Sequence, residues 1–144
     1  MESLSMGVKL SLAASGVFLM VAMLLGILKY RHMLKAPNHQ APFYIDTAHR
    51  AALLYSFAAL VIAELLRYSP FSETVQVIIA AAPLLFFAIA ILTYFLLGLK
   101  NQTDNQFRER NFGTTVGMWL LIAAEVGGFG AILYGFFCTQ FFAA

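Results

Sequence analysis

The chain has 144 residues, of which 61% are hydrophobic and 11% charged, with a net charge of +2 and a mean hydropathy of +0.80. A soluble domain carries about 25% charged residues, so this composition excludes an ordinary soluble fold and points to an integral membrane protein of a single domain. The basic residues are spread among the segments between apolar runs, which leaves no patch for nucleic acid, and the lone Cys138 excludes an intrachain disulfide.

Four apolar runs predict an all-α, four-helix membrane bundle with spans at about 8–30, 49–67, 74–98 and 113–137. The first is followed by Lys29-Tyr30-Arg31, with no A-x-A cleavage site, so it reads as a permanent span and not a signal peptide. Pro37 and Pro42 keep the first loop from continuing as helix. Asp46 and Thr47 are the candidate caps of the second span. The third span starts after Ser69-Pro70-Phe71-Ser72, with Ser72 as its cap, and Pro83 inside it predicts a kink. Gly113 opens the fourth.

Loops one and three, with their flanks, carry Lys29, Arg31, Lys35, Arg50, Lys100, Arg108 and Arg110; the opposite side carries only Lys9 and Arg67. The positive-inside rule therefore puts those loops in the cytoplasm and both termini outside. Tyr30, Phe43, Tyr44, Tyr68, Phe71 and Trp119 are placed as an interfacial aromatic belt.

His49 is the leading ligand candidate. A neutral imidazole can bind iron axially while its other nitrogen is held by a carbonyl or an acid. The alternative is an interfacial histidine that merely donates to a loop carbonyl. Ala52, Ser56, Leu60 and Ala63 share its helix face, with Ala59 beside them. Gly117, Leu121, Ala124, Gly128, Ala131 and Gly135 form a second smooth stripe on span four. Such stripes serve close helix packing, or face a flat ligand. Arg50 and Arg31 are placed to pair with carboxylates, haem propionates among them. His32 and His39 are weaker ligand candidates.

Tyr94 and Tyr55 lie at similar depths on spans three and two, where they either reach a site beneath His49 or pack. Glu125 lies near the middle of span four, a costly depth for an unpaired charge, so a partner or a proton is expected there. It is either a proton-accepting or ligand-orienting acid, or a neutral group bonded to a neighbouring helix. Glu64 and Arg67 are spaced for a local pair. The polar loop from Lys100 to Arg108 is a solvated connector or a lid over the cytoplasmic mouth. Motifs for serine hydrolases, zinc proteases and phosphate-binding loops are absent from the sequence.

Ala48-His49 opening the second span, Tyr94-Phe95 near the end of the third, Asn105-Gln106-Phe107 in the last loop and the glycine-rich fourth span resemble the styrene oxide isomerases. The resemblance implies a homotrimer in a bacterial inner membrane that binds haem b through His49. Ferric iron would act as a Lewis acid on the epoxide oxygen of a small apolar substrate, with Tyr94 in the active site. The chain departs from that family at Tyr55, where an Asn is expected nearby, and around Phe86, where the family has an Asp. Haem binding therefore carries over further than isomerisation does. The chain is also similar in length and span number to the trimeric membrane-associated eicosanoid and glutathione enzymes, but Arg50-Ala51 is followed by Leu54 and Phe57 where that family has polar clamps. A third reading is a non-enzymatic subunit packed into a larger complex through the glycine stripe.

Overall fold

The computed structural model describes residues 4–142. It is all-helical, with four helices each long and apolar enough to cross a membrane: α1 (Met6–Lys35), α2 (Phe43–Leu66), α3 (Glu73–Lys100) and α4 (Met118–Gln140). A π-helical turn, Gly113–Gly117, leads into α4. The order is up-down-up-down. At one end the Met6 N–H donates to Glu73 Oε1 (2.7 Å) and the Ser5 hydroxyl to Gln76 Oε1 (2.6 Å), which brings the starts of α1 and α3 together. At that same end the Thr139 hydroxyl donates to Tyr68 O, tying α4 to the end of α2.

α1, α2 and α3 extend past the expected spans, most of all at the loop-one end, while α4 starts at Met118 after the π turn. α2 begins at Phe43 with Pro42 in the cap position, so Asp46 and Thr47 are not caps. The start carries no side-chain cap, and Pro42 O accepts from the Ile45 and Asp46 N–H groups. Thr47 instead donates to Phe43 O, while Asp46 pairs with Lys29 and Arg50. Ser72 does occupy the cap position of α3, but its side chain makes no capping bond. α3 runs unbroken through Pro83, and Asn101 ends it in the left-handed conformation (φ 47°).

Packing is uneven. Along α1 and α2 the contact is made by small residues: Ala22, Ala48, Ala52, Ala59 and Ala63 are essentially without exposure. Ser15 donates across that seam to Ser56 O (2.8 Å). Small side chains let backbones approach, which is how helices associate where lipid gives no hydrophobic drive. α4 is the least covered, with only Ile132 and Gly135 buried. It touches α3 and, to a lesser extent, α2, and does not touch α1 among the described residues. Large apolar side chains cover the outside, as lipid-facing surfaces require.

Three glycines mark the closest approaches. A Cβ on Gly98 would stand 2.7 Å from the backbone nitrogen of Ile45, where the end of α3 meets the start of α2. One on Gly135 would stand 2.8 Å from the Phe71 ring, which packs against α4 there. One on Gly128 would stand 2.9 Å from both Ile79 O and Pro83 Cδ. Pro83 has no N–H to offer the Ile79 carbonyl one turn back. That carbonyl lies against Gly128, where a Cα–H contact can meet it.

Candidate functional site

The residues singled out in the sequence fall into two groups on different flanks of α2. His49 faces α1. Its Nδ1 lies 2.8 Å from Ala22 O. A carbonyl can only accept, so Nδ1 is the donor, and in the neutral ring this tautomer leaves the lone pair on Nε2. Nε2 makes no hydrogen bond among the described residues. The ring comes close to α1 because Gly26 has no side chain: a Cβ there would come within 3.1 Å of His49 Cε1. The Nδ1 bond runs to a helix carbonyl, not to the loop carbonyl of the bland expectation.

The small-residue strip below His49 is not an open wall. Ala52, Ser56, Ala59 and Ala63 are buried, with Ser56 O accepting from Ser15 of α1, while Leu60, predicted on the same face, is 47% exposed. His49 therefore sits at the rim of the α1–α2 seam, half-buried. Around it, Asp46 accepts from Lys29 (2.5 Å) and from Arg50 (2.9 Å). Arg50 keeps much of its guanidinium exposed, and Arg31 is exposed with no ion pair among the described residues.

Tyr55 is six residues beyond His49, which at 3.6 residues per turn puts it about 120° around the helix. Its ring stacks on Phe87 of α3 at 4.2 Å and 9°. With Tyr94 and Thr93 it lines a cavity of about 910 Å³ between α3, α4 and the α3–α4 loop. Lys100, Arg108 and Asn111 stand at its polar end, and Gly117 and Leu121 at its wall. The upper glycine stripe therefore faces a cavity, while the lower part, Gly128 and Gly135, packs against protein. His49 does not line this space, so one chain does not bring the tyrosines beneath the histidine.

The polar loop folds over the cavity instead of standing free. The Gln106 N–H donates to the Tyr44 hydroxyl (2.6 Å), and the Tyr44 ring stacks near Tyr94 at 5.9 Å and 18°. Tyr44, expected in the interfacial belt from its position, is buried and anchors the loop. The sequence holds no sign of this, since the partner lies 62 residues away. At the cavity rim, the Gly117 N–H donates to Phe112 O five residues back, and Asn111 and Thr114 exchange two bonds that brace the π turn. Such turns recur at functional sites.

Glu125 faces a second, apolar crevice of about 610 Å³ between α2 and α4. Its Oε1 is buried without a hydrogen-bond partner among the described residues. Glu64 and Arg67 form the expected local pair at 3.0 Å.

Among the described residues no three His, Cys, Asp or Glu side chains converge on a common point. A porphyrin supplies four of its iron's donors, so a single histidine suffices for haem, and His49 has the tautomer and free nitrogen that an axial ligand needs. Compared with protein-family models, with curated proteins and with solved structures, the chain matches none.

Proposed function

We propose that this membrane protein binds haem b with His49 as the axial ligand, as its resemblance to the styrene oxide isomerases implies. The bond from His49 Nδ1–H to Ala22 O carries this reading: it fixes the ring, sets the tautomer and leaves Nε2 free to ligate. When bound, the ferric group supplies a Lewis acid that polarises a substrate oxygen. The chain's own residues hold and orient. Arg50, steadied by Asp46, and Arg31 offer guanidinium donors to propionates. Tyr94 and Tyr55 offer hydroxyls to a small apolar substrate entering the cavity they line.

Within one chain these tyrosines lie across α2 from His49. α1 and α4 occupy opposite flanks, so a closed ring of identical chains would set one chain's His49 rim beside the next chain's cavity. The trimer that the resemblance implies is such a ring. The excess of Lys and Arg around loops one and three argues for this end being cytoplasmic, with both termini outside.

The test is an absorption spectrum of the purified protein after expression with ample haem. A Soret band is expected in the wild type and in Tyr94→Phe, and its loss in His49→Ala. A wild type without the band, or a band unchanged in His49→Ala, would overturn the reading. A second reading, a glutathione- or lipid-modifying trimer, draws on Lys100 and Arg108 at the cavity's polar end, where an anionic substrate would be met. Thiol-dependent conjugation that survives His49→Ala would favour it.

A further inference from the structure

Glu125 poses a problem that haem binding at His49 does not answer. The carboxyl sits midway along α4, on a helix apolar enough to cross a membrane. Among the described residues it has no counter-charge if ionised and no acceptor if protonated, and in either state Oε1 has no partner. Leaving such a group unmatched in apolar surroundings is costly. The space before it is roomy and almost wholly apolar: Ala58 and Val61 of α2, Phe87 of α3, and Val126, Phe129 and Gly130 of α4 line about 610 Å³. That is the size of small-molecule sites, which combine apolar walls with few polar groups. The crevice opens sideways between α2 and α4, where Val61 and Val126 are 49% and 69% exposed, so entry is from the lipid side.

We propose that this crevice is a binding site for a lipophilic amine, whose apolar body fills the space between α2 and α4 and whose amino group pairs with Glu125. The amine takes the carboxyl proton, giving an ammonium–carboxylate pair with no net charge. Such a pair makes the strong, charge-assisted type of hydrogen bond and satisfies the orphan oxygen. A neutral hydrocarbon would fill the walls and leave the carboxyl unmet. The site is separate from His49 and does not depend on haem.

Protein in lipid nanodiscs, with empty nanodiscs as the blank, is titrated with dansylcadaverine and with its N-acetyl derivative, which keeps the apolar body and loses the basic nitrogen. Saturable binding of the amine is expected, preferred over the acetylated form by at least about tenfold, the effect of one charge-assisted hydrogen bond. Glu125→Gln should erase the preference. Gly130→Leu should weaken binding of the amine about tenfold by occupying the crevice; a Cβ at Gly130 meets nothing within 4 Å, so this variant leaves the helix packing intact. Equal binding of the two probes by the wild type, a preference kept in Glu125→Gln, or no saturable binding would overturn the proposal. So would a wild type that ignores the amine but loses oligomeric mass in Gly130→Leu, since the crevice would then be a contact between chains.

Discussion

The α1–α2 seam and the α4 side of the bundle are built from similar residues and behave as opposites. Both carry stripes of alanine and glycine. Between α1 and α2 the stripe is filled: Ala48, Ala52, Ala59 and Ala63 are covered, Ser15 reaches Ser56, and His49 at the rim is held by a backbone carbonyl. Along α4 the stripe is used in part. Gly128 and Gly135 are pressed against α3 and the Pro70–Phe71 turn, while Gly117 and Leu121 wall a cavity and Glu125 faces an apolar crevice. Close packing gives the first region the rigidity to aim a nitrogen. Incomplete packing gives the second the volume to admit a molecule.

The comparison is broken most severely where backbones meet. Gly98→Ala drives a Cβ to within 2.7 Å of the Ile45 nitrogen, which a main-chain atom cannot evade by rotating. We expect a loss of about 3 kcal/mol, at the upper end of overpacking costs, seen as a large fall in the thermal midpoint in detergent. Gly128→Ala meets Ile79 O and Pro83 Cδ, and should cost about 2 kcal/mol by the same measurement. In a Pro83→Ala background the ring is gone and Ile79 O regains a helical donor, so the cost should fall; strict additivity of the two changes would show that the freed carbonyl plays no part.

Smaller effects sharpen the contrast. Gly26→Ala should push the His49 ring by a few tenths of an ångström and misalign its bond to Ala22 O. If His49 ligates haem, the expected result is about a tenfold loss of haem affinity, measured by Soret titration, with little change in melting. Tyr44→Phe removes the acceptor of the Gln106 N–H. It should cost about 1 kcal/mol and show as faster hydrogen exchange in residues 102–108, with the α1–α2 seam unaffected.

Much of the fold was legible in the sequence and rather less of the site. Four spans followed from the length of the apolar runs, because the thickness of a bilayer sets a minimum helix length. The boundaries differ where polar residues lie inside helices: Asp46 stands before an apolar run, as a cap would, yet it lies within α2 and pairs with Lys29 and Arg50. His49 was visible as a histidine at the start of a span, and Glu125 as an acid in the middle of one. Tyr44 and Gly98 were not visible as an anchor and a contact point, since an interfacial tyrosine and a helical glycine are ordinary in membrane helices.

The sequence by itself determined that this chain is four apolar helices with polar connections, because hydropathy and helical period are properties of local stretches. Which residues meet was decided only in three dimensions. The rotation of α2 sends His49 to α1 and Tyr55 to α3, and the rotation of α4 turns Glu125 into an apolar crevice. A difference of about 100° per residue separates a group buried in a seam from one facing a cavity. Only the packing of neighbouring helices says which of those directions is filled.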